Sequence, residues 1–191
     1  MWYVVLFAVL LLIDQATKII VAMYSGVAGS AGGEGTLVKT LIPDFLDISY
    51  CENKNGMMSL FSKIADDNTR YWIFIISSAV IMLAIFLYLV IAKNKGKWNT
   101  FALTMILAGA VGNFIDRVLT VYVRDFIHVI LTVGGKEIFP YIFNVADMAV
   151  VVGAIMLIIG MLFIGKDAIF GKKKKDEDGK EKTDGGQKGT A

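Results

Sequence analysis

Residues 71–92 contain no charged side chain. A bilayer span needs about 20 predominantly apolar residues, because no water is present in the hydrocarbon to satisfy charge. Three further segments meet the same length: 1–24, interrupted by Asp14 and Lys18, 98–116, and 146–165. The chain is 56% hydrophobic and only 19% charged, with a mean hydropathy of +0.64. A soluble domain has about a quarter of its residues charged. The expected fold is therefore an all-α integral membrane protein of four transmembrane helices, with one membrane domain over 1–170. A net charge of +2 gives no reason to expect a nucleic-acid partner. The single cysteine, Cys51, excludes an internal disulfide and any multi-cysteine metal site.

Lysine placement sets the expected orientation. The link between the second and third spans holds Lys93, Lys95 and Lys97 and no acid, and Lys172 to Lys175 follow the fourth span. Both segments belong in the cytoplasm. The stretch 25–70 carries six acids against four bases and belongs outside. Residues 171–191 are charged and glycine-rich, the composition of a disordered tail, whose lysines can meet anionic lipid. A cleaved signal peptide over the first span is the weaker reading. That segment lacks a basic start, and an Asp and a Lys at i and i+4 pair along one helical face.

The outer segments point to a small β-structure. Residues 36–52 mix β-branched and aromatic residues with polar ones, broken at Pro43 and Asp44, and Gly134-Gly135 separates the runs 127–133 and 136–141 as a hairpin turn does. Such strands lie at or above the membrane surface, since open sheet edges do not sit in lipid.

Two Asn-x-x-Asp pairs mark the outer ends of spans: Asn113 with Asp116 on the third, Asn144 with Asp147 on the fourth. Asp125 lies between them in sequence. Arg117 stands beside Asp116 as its expected partner. Asp125 and Asp147 have no base at helical spacing, and acids at the membrane edge are functional candidates. Two close carboxylates in a low dielectric share a proton, so one takes a proton from water while the other donates. That chemistry needs neither metal nor cofactor. His128, three residues past Asp125, is expected as an ordinary packed or surface residue, and a Cys51–His128 nucleophile pair as improbable.

At these positions the sequence resembles lipoprotein signal peptidase, the bacterial signal peptidase II. The pieces are Asp14-Gln15-Ala16-Thr17-Lys18, Glu52-Asn53-Lys54-Asn55-Gly56, Gly112-Asn113-Phe114-Ile115-Asp116-Arg117, Val123-Arg124-Asp125-Phe126 and Phe143-Asn144-Val145-Ala146-Asp147. The resemblance implies a membrane aspartic endopeptidase, acting as a monomer at the outer face of the cytoplasmic membrane. It would cut diacylglyceryl-modified prolipoproteins just before the lipid-bearing cysteine. It implies Asp125 and Asp147 as the catalytic pair, with Asn53, Asn113, Arg117, Asn144, Asp14, Lys18 and Asp116 supporting the site or substrate. The outer loop departs from the family pattern in its Asn-to-Gly spacing, which leaves Asn53 and Asn55 as alternatives. Arg124 stands where an aliphatic residue is usual, and strand alternation turns it away from Asp125. The rival readings are a cation-relaying bundle, disfavoured by the lack of internal repeats, and a purely structural anchor.

Overall fold

A computed structural model describes residues 2–26, 35–54, 66–92, 96–139 and 141–164. Four helices in it are long and apolar enough to cross a membrane. They are α1 (Trp2–Ser25), α2 (Asp67–Ile91), α3 (Lys97–Thr120) and α4 (Val145–Ile159), the last continued by a π-helical turn over Gly160–Ile164. Asp66 caps α2, accepting from the Thr69 amide at 3.1 Å. The charged tail 171–191 and the lysines Lys93 and Lys95 fall outside the described residues.

Helix α3 is the hub, packing against α1, α2 and α4. Its sequence explains why. In lipid no hydrophobic force draws helices together, so close approach rests on small residues and polar contacts. The antiparallel α3–α4 contact is a run of such residues. A Cβ on Gly109 would collide with the Ala146 carbonyl, one on Gly153 would lie 2.7 Å from the Ala102 carbonyl, and one on Gly160 would lie 2.9 Å from the Trp98 ring. At the far end, Trp98 Nε1 donates to the Met156 carbonyl at 2.6 Å.

The strands gather at the opposite end, where α1 and α3 finish and α2 and α4 begin. Strands β1 (Thr36–Ile42), β2 (Leu46–Asn53), β3 (Val123–Val129) and β6 (Ile142–Phe143) form an antiparallel sheet in the order β1-β2-β3-β6. The β1–β2 turn falls at Pro43-Asp44, with Asp44 left-handed (φ 57). A separate hairpin, β4 (Thr132–Val133) and β5 (Lys136–Glu137), turns through Gly134 and Gly135, both at positive φ. A two-residue turn of this kind requires that conformation, and glycine adopts it without steric cost.

The run 127–133, expected as one strand, divides between β3 and β4. The Ile130 amide donates to the Phe45 carbonyl at 2.8 Å, which ties the end of the sheet down and frees Leu131 onward to form its own hairpin. The sheet therefore stays pinned over the helix ends, and β3 brings Asp125 down onto them.

Candidate active site

Helix α4 begins in a reciprocal cap. Asn144 Oδ1 accepts from the Asp147 amide at 2.9 Å, and Asp147 Oδ2 accepts from the Asn144 amide at 3.1 Å. This satisfies two of the amides that a helix start leaves open. It also fixes the Asp147 carboxylate at the positive end of the α4 dipole, where negative charge is favoured.

Asn144 is fully buried, and its amide nitrogen donates to Asp125 Oδ1 at 2.6 Å and to Asn113 Oδ1 at 3.0 Å. One side chain thus caps the helix bearing one acid and binds the other acid directly. Asn113 Nδ2 donates to Asp147 Oδ1 at 2.7 Å, and Asn53 Nδ2 donates to Asp125 Oδ2 at 2.8 Å. Each of the four oxygens of Asp125 and Asp147 therefore accepts a hydrogen bond from an amide, three from asparagine side chains and one from the backbone.

Lys18 decides which way Asn113 faces. Its ammonium donates to Asn113 Oδ1 at 2.9 Å, so the amide nitrogen must point toward Asp147. The flipped amide would set N–H against an ammonium, which has no acceptor. Lys18 is fully buried and pairs with Asp14 at 2.9 Å and with Asp116 at 3.5 Å. The Asp14 carboxylate also accepts from the Ala146 amide at 2.9 Å, at the second position of α4. This contact needs Gly112, where a Cβ would lie 2.5 Å from Asp14 Oδ2. A lone buried charge would be costly. Here each charge has an opposite partner or amide donors.

The expected pairing of Asp116 with its neighbour Arg117 is not formed by the ion pairs of Asp116. Its carboxylate bonds Arg124, eight residues along, at 2.6 Å, and contacts Lys18. The reason is helical geometry: consecutive residues point about 100° apart, so Asp116 faces α1 and the start of β3. The Arg117 guanidinium instead lies over the Phe74 ring of α2, 5.3 Å from its centroid, and donates to the Asn113 carbonyl at 3.4 Å. From there its charge reaches Asp147, Asp125 and Asp116. Two participants had not been singled out as site residues. Gln15 donates to Asp14 Oδ2, to the Gly112 carbonyl and to Asp116 Oδ1, and Arg124 binds Asp116. Gln15's position inside an Asp-x-x-x-Lys pair at the level of the other acids was the available clue.

Burial, followed by the nearby Asp147 charge, pushes the Asp125 carboxyl up to about 7, against the opposing pull of the Asn53 and Asn144 hydrogen bonds. Cys51 is the cross-strand partner of Asp125. Burial and then the Asp125 charge push its thiol up, leaving it protonated and a poor nucleophile. His128 sits across from Asp47 and contacts Glu137 at 2.8 Å. Asn53, on β2, is the asparagine at Asp125, while Asn55 lies outside the described residues.

Most of the chain is similar to proteins of known type. Residues 6–163 match the family model described as signal peptidase (SPase) II. A lipoprotein signal peptidase of Brevibacillus brevis is 33% identical over 166 residues, covering 87% of this chain and 98% of that protein. One from Staphylococcus aureus is 34% identical over 175 residues, covering 90% and 93%. A bacterial membrane enzyme solved by the in meso method at 1.9 Å superposes with a TM-score of 0.66 at 28% identity, over 85% of this chain and 94% of that one. Four membrane-length helices, a small sheet at one end and these matches together make the chain a bacterial membrane protein that belongs to the signal peptidase II family.

Proposed function

We propose that this peptidase is aspartic in type, with Asp125 and Asp147 as its catalytic pair, and that it cuts prolipoproteins immediately before their diacylglyceryl-modified cysteine. The observation that carries the reading is Asn144, whose single side chain caps the helix holding Asp147 and binds Asp125. Two acids tied to one amide can act on one bound carbonyl.

In the proposed reaction Asp147 is the starting base and Asp125 the starting acid. The Asn144 amide and the positive end of the α4 dipole favour negative charge on Asp147. Burial keeps Asp125 protonated up to about pH 7. Asp147 takes a proton from water as its oxygen attacks the scissile carbon, and Asp125 gives its proton to the carbonyl oxygen. The tetrahedral diol then collapses. Asp147 returns its proton to the departing amine as the C–N bond breaks, and Asp125 recovers the hydroxyl proton as the new carboxyl forms. The proton inventory closes without any other group.

Asn53, Asn113, Arg117, Asn144, Asp14, Lys18 and Asp116 hold the pair or meet the substrate. A lipid-bearing cysteine stays anchored at the bilayer surface, which is where β3 and the start of α4 present the acids. The lysine asymmetry orients that end to the outside, with both termini in the cytoplasm, and the chain acts as a monomer among membrane lipids.

The test is cleavage of a diacylglyceryl-modified prolipoprotein by purified protein carrying Asp125→Asn or Asp147→Asn. Each variant should fold and lose turnover by at least about 10³-fold, the scale on which loss of a catalytic acid or base is felt. Wild-type turnover in either variant removes that residue from the pair. Equal cleavage of an unlipidated peptide would undo the substrate assignment.

A further inference from the structure

Asp125 hangs from the residue before it. Arg124 puts three hydrogen bonds on the Asp116 carboxylate: its backbone amide to Oδ2 at 2.9 Å, its Nε to Oδ2 at 3.1 Å and its Nη2 to Oδ1 at 2.6 Å. The same Nη2 donates to Gln15 Oε1 at 3.2 Å. Asp116 is fully buried and is held in turn by Lys18 and Gln15 of α1. One side chain of β3 therefore meets α1 and α3 at a single buried carboxylate.

Strand alternation gives this contact its consequence. Neighbours on a strand point to opposite faces, so Arg124 faces Asp116 while Asp125 faces Asn53 and Asn144. The peptide between them has the anchor on one side and the acid on the other. Asp116 lies one turn of α3 from Asn113, which bonds Asp147. Arg124 and Asp147 are thus both referenced to one short stretch of α3.

We propose that Arg124 is a positioning residue, whose fork on Asp116 sets the depth of β3 against α3 and so holds Asp125 in reach of the carbonyl that Asp147 attacks. A guanidinium suits this duty because its planar fork fixes both distance and angle, which a lysine ammonium does not. The claim rests on the reading of Asp125 as a catalytic acid.

The experiment measures kcat and KM on a diacylglyceryl-modified prolipoprotein for Arg124→Gln, Arg124→Lys, Asp116→Asn and the Arg124→Gln/Asp116→Asn double variant, with the melting temperature of each. A displacement of about 1 Å costs on the order of 10²-fold in rate. Arg124→Gln should lower kcat by about 10- to 100-fold and leave KM within about twofold, as expected when placement of the acid is lost but substrate binding is kept. Arg124→Lys should restore only part of that loss, and the double variant should lose no more than the worse single one. Wild-type kcat in Arg124→Gln overturns the proposal, as does full rescue by lysine, which would make charge alone sufficient. Should Arg124→Gln fail to fold, Arg124→Lys decides: wild-type kcat overturns, a fall in kcat at constant KM supports. Activity in Asp125→Asn would instead remove the catalytic reading itself, so the two failures are separable.

Discussion

At the scale of single residues, the two acids share a site but not a thermodynamic situation. Asp125 is held up to about 7 by burial and the Asp147 charge, against an unfolded-chain value of about 3.9. The folded state therefore binds the Asp125 proton more tightly than the unfolded chain does. Its contribution to stability is fully present below about pH 4 and is lost as pH rises through about 7. Melting of the wild type and of Asp125→Asn across pH 5 to 8 should show the wild type losing ground steadily to the variant. Parallel curves would mean that Asp125 is not raised. Activity carries the same sign: kcat/KM should fall as pH climbs past about 7 and the starting acid loses its proton. Asp125, Asp147 and their asparagines were legible in the sequence because polar groups at a lipid boundary are costly and rarely idle. The partner of Asp116 was not. Adjacency suggested Arg117, whereas the actual partner comes back only after the chain reverses at Val121, left-handed at φ 70. A β-branched residue in that conformation is an outlier that no propensity predicts.

At the scale of elements, the α3–α4 seam decides where Asp147 stands. Gly109 faces the Ala146 carbonyl, one residue before the acid, and that backbone cannot turn aside as a flexible side chain could. Gly109→Ala should push the start of α4 away, costing about 1–3 kcal/mol, the range for overpacking a close contact. Turnover should fall with it. Thermal unfolding in detergent together with kcat would show whether the two losses accompany each other; an unchanged melting temperature would mean the seam has slack. The seam's small residues are visible in sequence as Ala108-Gly109-Ala110 and Gly112, yet their partners on α4 are not, since helix rotation about its axis is set by packing. The break of the 127–133 run was hidden for a similar reason. It depends on one amide, Ile130, finding Phe45 on a distant hairpin.

At the scale of the whole molecule, four helices place all their sheet-side ends together, and the orientation proposed from the lysine distribution puts that end outside. The substitution Lys136→Cys, on β5, in a Cys51→Ala background should make the chain react with a membrane-impermeant thiol reagent added to intact cells whose outer barrier is opened. Reaction only after the inner membrane is breached would invert the orientation. The span pattern was legible because a charge-free run of this length has few other uses. The size and order of the sheet were not, because β2 pairs with β3 from across α2 and α3 in the sequence, a pairing that no local pattern carries.

The reciprocal cap at the start of α4 has an evolutionary reading. Most active-site residues are liabilities that a fold tolerates, so drift toward greater robustness tends to erode activity. Asp147 escapes this conflict, because the oxygen that closes the cap with Asn144 belongs to the carboxylate proposed to do the chemistry. A lineage seeking a sturdier α4 would retain it. Asp125, buried and raised, is the residue such a lineage would discard. Selection for function therefore has to guard one member of the pair, while the fold guards the other.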